Sequence, residues 1–230
     1  MTIPGSHEVA DEDLDALSSA PWRRVVVIGD SIAEGVGEPT PGFPDVPWAT
    51  TVMNALGRST GGERVEYLNL GRRDLLAEEI RAGQLAPALA FEPDLALVTA
   101  GGNDLLRRRF DLEAVAGHLD AIVVALRKSG ADVVTLGLFD CSGSPYVPEA
   151  MRTGMTERLR ALGARTAAIA AAHGAAHVPL TDDPLGAAPD IYGSDGLHLN
   201  RRGHAATAAR TVHTLVELLA GSGKAARTET

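Results

Sequence analysis

A serine follows directly on an apolar segment near the start of the chain, in the sequence Gly29-Asp30-Ser31. The four residues before Gly29 are all Val or Ile, a run that is typical of a strand buried on both faces. Ligands of α/β proteins bind at strand ends, so Ser31 occupies a catalytic location and its hydroxyl is a candidate nucleophile. A serine after a strand also commonly caps the next helix. This segment alone leaves both roles open.

An aspartate and a histidine stand three residues apart near the other end of the chain, at Asp195 and His198. A helix is predicted to begin just after them, at about Arg201. Across one turn the carboxylate could orient the imidazole and stabilise its protonated form, as in a catalytic acid-base pair. A capping aspartate beside a surface histidine would give the same pattern.

Two further polar segments follow apolar runs. Gly71 lies in Asn-Leu-Gly-Arg at residues 69–72, and Asn103 lies in Gly-Gly-Asn-Asp at residues 101–104. Taken separately, each segment could be a tight turn that uses the conformational freedom of Gly or Asn.

Short apolar runs alternate with longer helix-like segments. The predicted strands are residues 24–28, 65–70, 95–99, 133–138 and 176–180. The predicted helices are residues 48–56, 75–85, 112–128, 153–172 and 201–219. This alternation predicts βαβ units with right-handed crossovers and a doubly wound, three-layer α/β/α sandwich. The candidate residues above would then lie together at the carboxyl ends of the strands.

Taken together, Gly-Asp-Ser, a strand-end Gly, Gly-Gly-Asn-Asp and Asp-x-x-His appear in this order along the chain. The ordered set resembles the SGNH, or GDSL-like, hydrolases over residues 25–206. Ser31, Gly71, Asn103 and His198 match the four residues for which that family is named. The sequence departs from the common Gly-Asp-Ser-Leu form only by Ile32 in place of Leu.

The resemblance implies a flavodoxin-like α/β/α sandwich with a central five-stranded parallel sheet. It also implies that Ser31 attacks an acyl carbonyl, that His198 is the general base and that Asp195 orients His198. The oxyanion hole would be formed by the backbone N–H groups of Ser31 and Gly71 and by the side-chain amide of Asn103.

The expected activity is hydrolysis of a small acyl ester, with no metal or organic cofactor. Acyl transfer and thioester hydrolysis at the same site are alternatives, and a non-catalytic binding module is a third. Ala33 replaces the second glycine of a Gly-x-Ser-x-Gly elbow, which disfavours the ordinary α/β-hydrolase fold.

Other residues allow competing interpretations that we consider weaker. Asp30 and Glu34 could form a carboxylate pair for glycosidic chemistry, but Asp30 is better explained as an acceptor that shapes its own loop. Cys141 could be a nucleophile. His173 and His177 have a metal-ligand spacing, but Gly174 interrupts the helix and no third ligand is evident, so a pair of histidines at a helix end explains them better.

Three loops rich in Pro or Gly, residues 38–47, 139–148 and 182–192, are predicted to face the substrate. Five aromatic residues in or beside them are candidates for the pocket lining: Phe43, Trp48, Phe139, Tyr146 and Tyr192.

The composition sets the remaining expectations. The 230 residues suit one domain, residues 22–220, with a weakly ordered segment at residues 1–21 and a flexible tail at residues 221–230. A net charge of −9 makes nucleic acid an improbable partner, and no apolar run is long enough for membrane insertion. The acidic start and the single cysteine favour a cytoplasmic location. The sequence does not indicate the oligomeric state.

Overall fold

A computed structural model describes residues 7–59, 65–144 and 147–228 of the chain. Five strands form one parallel sheet: β1 (Arg24–Gly29), β2 (Glu66–Asn69), β3 (Leu95–Thr99), β4 (Asp132–Leu136) and β5 (Ala176–Val178). Their order across the sheet is β2-β1-β3-β4-β5. All five strands coincide with predicted ones to within two residues at each end.

Helices cover both faces of the sheet. The α-helices are α1 (Asp11–Ala16), α2 (Ser31–Glu34), α3 (Trp48–Ser59), α4 (Ala77–Ala90), α5 (Gly102–Leu105), α6 (Leu112–Lys128), α7 (Glu149–Ala172) and α8 (Arg201–Thr228). Helices α4, α6 and α7 pack side by side on one face, and α3 packs against α8 on the other. The predicted three-layer α/β/α fold is therefore confirmed. Among the described residues, no helix is both long and apolar enough to span a lipid bilayer.

The burial of the inner strands β1 and β3 explains why the sheet forms where the sequence predicts it. Residues 25–28 of β1 and all of β3 are buried, because helices cover them on both faces. Because neither face of these strands contacts water, polar and apolar residues do not alternate along them. Both strands are therefore continuous apolar runs in the sequence. β2 is an edge strand and is mostly exposed.

Two helices next to these strands were not predicted. Helices α2 and α5 begin two and three residues after β1 and β3, respectively. Each has only four residues, which is too short to give a helical period in the sequence. Helix α4 was predicted to end at residue 85 but continues through Pro87 to Ala90. Pro87 removes one N–H donor from the helix, but the helix does not end there.

The N-terminal segment differs from the prediction that residues 1–21 are weakly ordered. Residues 1–6 lie outside the described part of the chain, but α1 and a 3₁₀ turn (Leu17–Ser19) pack against α3 and α8. Leu17 is fully buried, and Asp13 lies 3.3 Å from His213 on α8. This packing was not predicted because most residues of α1 are acidic and its few apolar residues give no clear pattern. At the other end, α8 continues to Thr228, past residue 221, because adding residues to an existing helix costs little.

His204 on α8 links that helix to the segment before α3. The backbone N–H of Trp48 donates to His204 Nδ1 (3.2 Å). The other ring nitrogen of His204, Nε2, therefore carries the proton and donates to Val36 O (3.0 Å). The ring is 1% exposed. Burial lowers the pKa of His204 to about 4, and the neutral form is the one that fits these two bonds.

We expect the stability of the fold to fall as the pH falls below neutrality. An unfolded histidine takes up its proton near pH ~6.5, whereas burial holds the pKa of His204 and of His177 at about 4 in the folded protein. Between these values the unfolded chain binds more protons, so each histidine lowers the free energy of unfolding by at most ~1.4 kcal/mol per pH unit. Melting temperatures from pH 7.5 to 4.5 measure this loss.

The contribution of His204 is obtained by comparison with His204→Gln, because the other titrating groups act equally in both proteins. The melting temperature of the variant should be lower than that of the wild type at pH 7.5, and it should depend less steeply on pH. Equal slopes would show that His204 does not carry the effect.

Candidate active site

Ser31 is the first residue of α2, at the point where β1 ends. Asp30 caps this short helix by accepting a hydrogen bond from Ile32 N (3.1 Å), and Gly35 ends it in the left-handed conformation (φ 84°). The indole of Trp48 donates to Ile32 O (2.7 Å) and ties α2 to α3. These contacts fix the backbone that carries the Ser31 hydroxyl.

Gly29 and Gln84 fix the backbone at the carboxyl end of β1. Gly29 has φ 150°, and a Cβ at this position would lie 2.1 Å from Thr99 O on the neighbouring strand. Gln84 accepts from Gly29 N (2.7 Å) and donates to Gly29 O (2.8 Å). Sequence reasoning missed Gln84, although a glutamine between Ile80 and Ala88 on one apolar helix face was a usable signal.

Asp195 and His198 lie in a short hairpin that precedes α8. Its ends are joined by an antiparallel bridge between Tyr192 and Leu199, and Gly193 N donates to His198 O (2.8 Å). The hairpin is attached to the 38–47 segment, because Glu38 accepts from the backbone N–H (3.0 Å) and the hydroxyl of Ser194.

Asn200 joins the hairpin to α8. Its amide N–H groups donate to Asp190 O and Tyr192 O, both at 2.9 Å, while its oxygen accepts from the first turn of α8. Asn200 was not predicted as a site residue, and Glu38 was predicted only as the first residue of a loop that faces the substrate.

The structure brings Ser31, His198 and Asp195 into one hydrogen-bonded chain. His198 Nε2 lies 3.0 Å from Ser31 Oγ, and His198 Nδ1 lies 2.6 Å from Asp195 Oδ2. Because an ionised carboxylate only accepts, Nδ1 carries the proton and the lone pair of Nε2 faces the hydroxyl. This is the tautomer that a general base needs.

Asp195 is held in its ionised form. Its other oxygen accepts from Leu197 N and His198 N, both at 2.9 Å. Partial burial acts to raise its pKa, but the hydrogen bonds from the His198 ring and from these two N–H groups leave the pKa of Asp195 below its ordinary value.

Asp30 is a second carboxylate, next to Ser31, but its environment is different. It is 1% exposed, Thr99 Oγ1 lies 3.4 Å from its Oδ1, and its Oδ2 has no hydrogen-bond partner among the described residues. Burial raises the pKa of Asp30 to about 6, against the smaller effects of the Ile32 and Thr99 hydrogen bonds. Its observed contacts are those of a cap that shapes the loop.

Gly71 lies against α2 and does not border the cavity beside Ser31. Its single N–H donates to Asn69 Oδ1 (2.8 Å), and Asn69 Nδ2 donates to Ala33 O (2.7 Å). Gly71 N can therefore reach an oxyanion only if its bond to Asn69 is released. A Cβ on Gly71 would lie 2.3 Å from Glu34 N, so close backbone packing already explains the glycine.

Asn103 lies on α5 and borders the same cavity as Ser31. One N–H of its amide donates to Leu75 O (3.0 Å), which connects α5 to the segment before α4. The amide nitrogen has two hydrogens, so a second donor remains for a ligand.

The competing residues have other partners. Glu34 accepts from Arg73 N (2.6 Å) and from the Arg73 guanidinium, so its carboxylate is already paired. Burial raises the pKa of the Cys141 thiol to about 11, which disfavours a nucleophilic thiolate. His173 bonds to Asp120 and His177 to Thr135, so the two rings have different partners.

A cavity opens beside Ser31 and His198. Of the aromatic residues proposed to line it, Phe139 and Tyr192 do so. Trp48 is fully buried and Phe43 makes an edge contact with His7. Tyr146 lies outside the described residues.

The sequence matches the model of the GDSL-like Lipase/Acylhydrolase family over residues 27–206. This match spans more than half of the chain, so the chain belongs to that family, and it is an SGNH-type hydrolase. Comparison with curated protein sequences gives no significant match.

Solved structures with the same fold include esterases and an acylhydrolase. Axe2, an acetylxylan esterase from Geobacillus stearothermophilus, is 16% identical, with a TM-score of 0.70 over 84% of this chain and 94% of that chain. TesA is 23% identical, with a TM-score of 0.67 over 85% and 99%. The lipase/acylhydrolase from Enterococcus faecalis is 21% identical, with a TM-score of 0.65 over 85% and 96%. These likenesses support the fold.

The position of Gly71 predicts that Gly71→Ala destabilises the protein, because the added methyl group must displace the backbone of α2. Overpacking of this kind typically costs ~1–3 kcal/mol, which is roughly 2–12 °C in melting temperature for a chain of this size. Gly83→Ala on α4 is the matched control, since no atom outside its helix lies within 4 Å of the new Cβ. The control should melt at or above the wild-type temperature. An unchanged melting temperature for Gly71→Ala, with activity lost, would refute the steric explanation.

Proposed function

We propose that this protein is a serine esterase that hydrolyses small acyl esters through an acyl-enzyme on Ser31. The observation that carries the proposal is the chain of hydrogen bonds from Ser31 Oγ through His198 to Asp195, at 3.0 and 2.6 Å. The Axe2 structures give further support, because their catalytic mutants replace a serine, an aspartate and a histidine, the last two three residues apart. Asp195 and His198 have the same spacing.

In the acylation step, Ser31 Oγ attacks the carbonyl carbon of the ester and His198 Nε2 takes the hydroxyl proton. Asp195 stays ionised and stabilises the imidazolium that forms. The tetrahedral intermediate collapses with cleavage of the bond to the alcohol oxygen, which takes the proton from His198 Nε2. The alcohol leaves, and the acyl group remains on Ser31 Oγ.

Deacylation repeats these steps with water. His198 Nε2 removes a proton from a water molecule as its oxygen attacks the acyl carbon. Collapse of the second intermediate breaks the bond to Ser31 Oγ, which regains a proton from His198. The acid product leaves, and the enzyme returns to its starting state.

The oxyanion of both intermediates needs donors on the side of Ser31 away from His198. The Ser31 N–H is one, because the first N–H groups of a helix have no acceptor within it. The free hydrogen of the Asn103 amide is a second. Gly71 N–H is the third proposed donor, once it leaves Asn69.

Replacement of the nucleophile tests the proposal directly. We expect Ser31→Ala to lower kcat for a p-nitrophenyl ester by a factor approaching ~10⁶, with little change in melting temperature, and to abolish labelling by a fluorophosphonate. Ser129→Ala, at the end of α6, is a matched control that should keep both activities. A Ser31→Ala protein of verified purity that keeps a tenth of the wild-type kcat would eliminate Ser31 as the nucleophile.

Asn103 requires a test that separates catalysis from its bond to Leu75, since Asn103→Ala and Asn103→Asp both lose that bond. If the amide stabilises the oxyanion, both variants lower kcat by ~10²–10³ and leave KM nearly unchanged, because the charge develops only in the transition state. The affinity for an alkylboronic acid, which forms a tetrahedral adduct with the serine, should fall by a similar factor. A lower melting temperature with wild-type boronate affinity would identify Asn103 as purely structural.

A further inference from the structure

The cavity beside Ser31 has a volume of about 90 Å³ and mostly apolar walls. Ser31, Asn103 and His198 border it on one side. Leucines and a phenylalanine from several separate segments form much of the remaining wall, among them Leu105, Leu138, Phe139, Leu159, Leu180 and Leu199. Side chains from helices, strand ends and loops thus converge on one apolar space next to the nucleophile.

Most polar side chains on these walls already have hydrogen-bond partners within the protein. Tyr192 OH donates to Gly186 O (2.8 Å), and Thr207 Oγ1 donates to Gly203 O (2.9 Å). Both ring nitrogens of His204 are bonded, and the Asp30 carboxylate is 1% exposed. Among the described residues that border the cavity, the side-chain N–H and O–H donors left for a ligand are those of the catalytic chain and Asn103, and the one unpaired side-chain oxygen is the buried Oδ2 of Asp30. A sugar with several hydroxyl groups would find few partners there, and each hydroxyl left unpaired costs free energy.

The residues that border the cavity differ in their exposure to solvent. Leu159 on α7, Leu180 after β5 and Cys141 are buried, whereas Leu106 and Leu197 are exposed, so we take the side lined by the buried residues as the closed side. The alcohol must leave while the acyl group is still attached to Ser31, so an alcohol held at the closed side would be trapped behind the acyl group. The order of the reaction therefore favours the acyl chain as the occupant.

We infer that this cavity binds an unbranched, apolar acyl chain of about four to six carbons, and that the preferred substrates are esters of such acids and not acetyl esters. This inference rests on the proposed esterase function. An apolar protein cavity of ~150 Å³ holds benzene, so the present volume accommodates roughly four carbons. Carbons beyond these would lie against Leu106 and Leu197, two leucines at the border of the cavity that are 43% and 40% exposed.

Two series of esters test the inference. In the first, the acyl group of a p-nitrophenyl ester is lengthened from acetyl to dodecanoyl. In the second, the acyl group is acetyl throughout and the alcohol is lengthened over the same range. We expect kcat/KM to rise about fourfold per added methylene in the first series, up to four to six carbons, and then to level off or fall. The second series should change little.

Two variants on the walls sharpen the test. Leu138→Ala enlarges the cavity and should move the optimum to longer chains, whereas Cys141→Leu fills it and should move the optimum to shorter chains. Leu89→Ala on α4, a leucine of similar partial burial that does not border the cavity, should keep the wild-type profile. Melting temperatures and fluorophosphonate labelling show that each variant is folded and has a reactive Ser31.

The outcomes separate this inference from the proposed function. A wild-type preference for acetyl esters, a dependence on alcohol length alone, or an optimum that neither wall variant moves would overturn the acyl-pocket assignment and leave the esterase proposal standing. A protein that is labelled at Ser31 but turns over no ester of the first series would also overturn it. If Ser31 is not labelled and no ester is cleaved, the proposed function itself is wrong.

Discussion

The hydrogen bond between Ser31 Oγ and His198 Nε2 joins two residues that are 167 positions apart in the chain. Each side of this bond is built separately. Ser31 is positioned by β1, by the capping of α2 and by Gln84 beneath Gly29. His198 is positioned by a hairpin that Glu38 and Asn200 attach to its neighbours. Trp48 at the start of α3 connects the two sides, because it bonds to Ile32 on α2 and to His204 on α8.

The carboxyl edge of the sheet collects buried polar groups that a purely structural sheet would avoid. Asp30, Gln84 and Thr99 are all buried there. Gln84 satisfies both backbone groups of Gly29, but Asp30 Oδ2 has no partner among the described residues. An unpaired buried polar atom typically costs ~1–3 kcal/mol. The unpaired Asp30 Oδ2 next to Ser31 therefore lowers the free energy of unfolding. Burial of the apolar strands β1 and β3 offsets this loss.

The sequence was sufficient for the sheet and for placing the candidate catalytic residues at strand ends, because both depend on local signals. Continuous Val and Ile runs mark strands covered on both faces, and a polar residue after such a run marks the functional edge. The surrounding supports were not predictable in the same way. Gln84, Glu38 and Asn200 act across 55, 156 and 8–10 residues, respectively, and nothing in the local sequence identifies their partners. Helix α1 was missed because its acidic residues outnumber the few apolar side chains that dock it.

The three proposed oxyanion donors differ in how much the protein must rearrange to use them. Ser31 N–H has no acceptor within its helix, and Asn103 can give one hydrogen to Leu75 and the other to a ligand. Gly71 has a single N–H, and Asn69 already accepts it. A donor that points elsewhere before the reaction stabilises the intermediate less, because breaking its existing bond opposes the gain. Ser31 and Asn103 therefore carry the larger share of the proposed stabilisation. The main contribution of Gly71 is structural: because it has no side chain, the segment after β2 packs directly against α2, the helix that begins at Ser31.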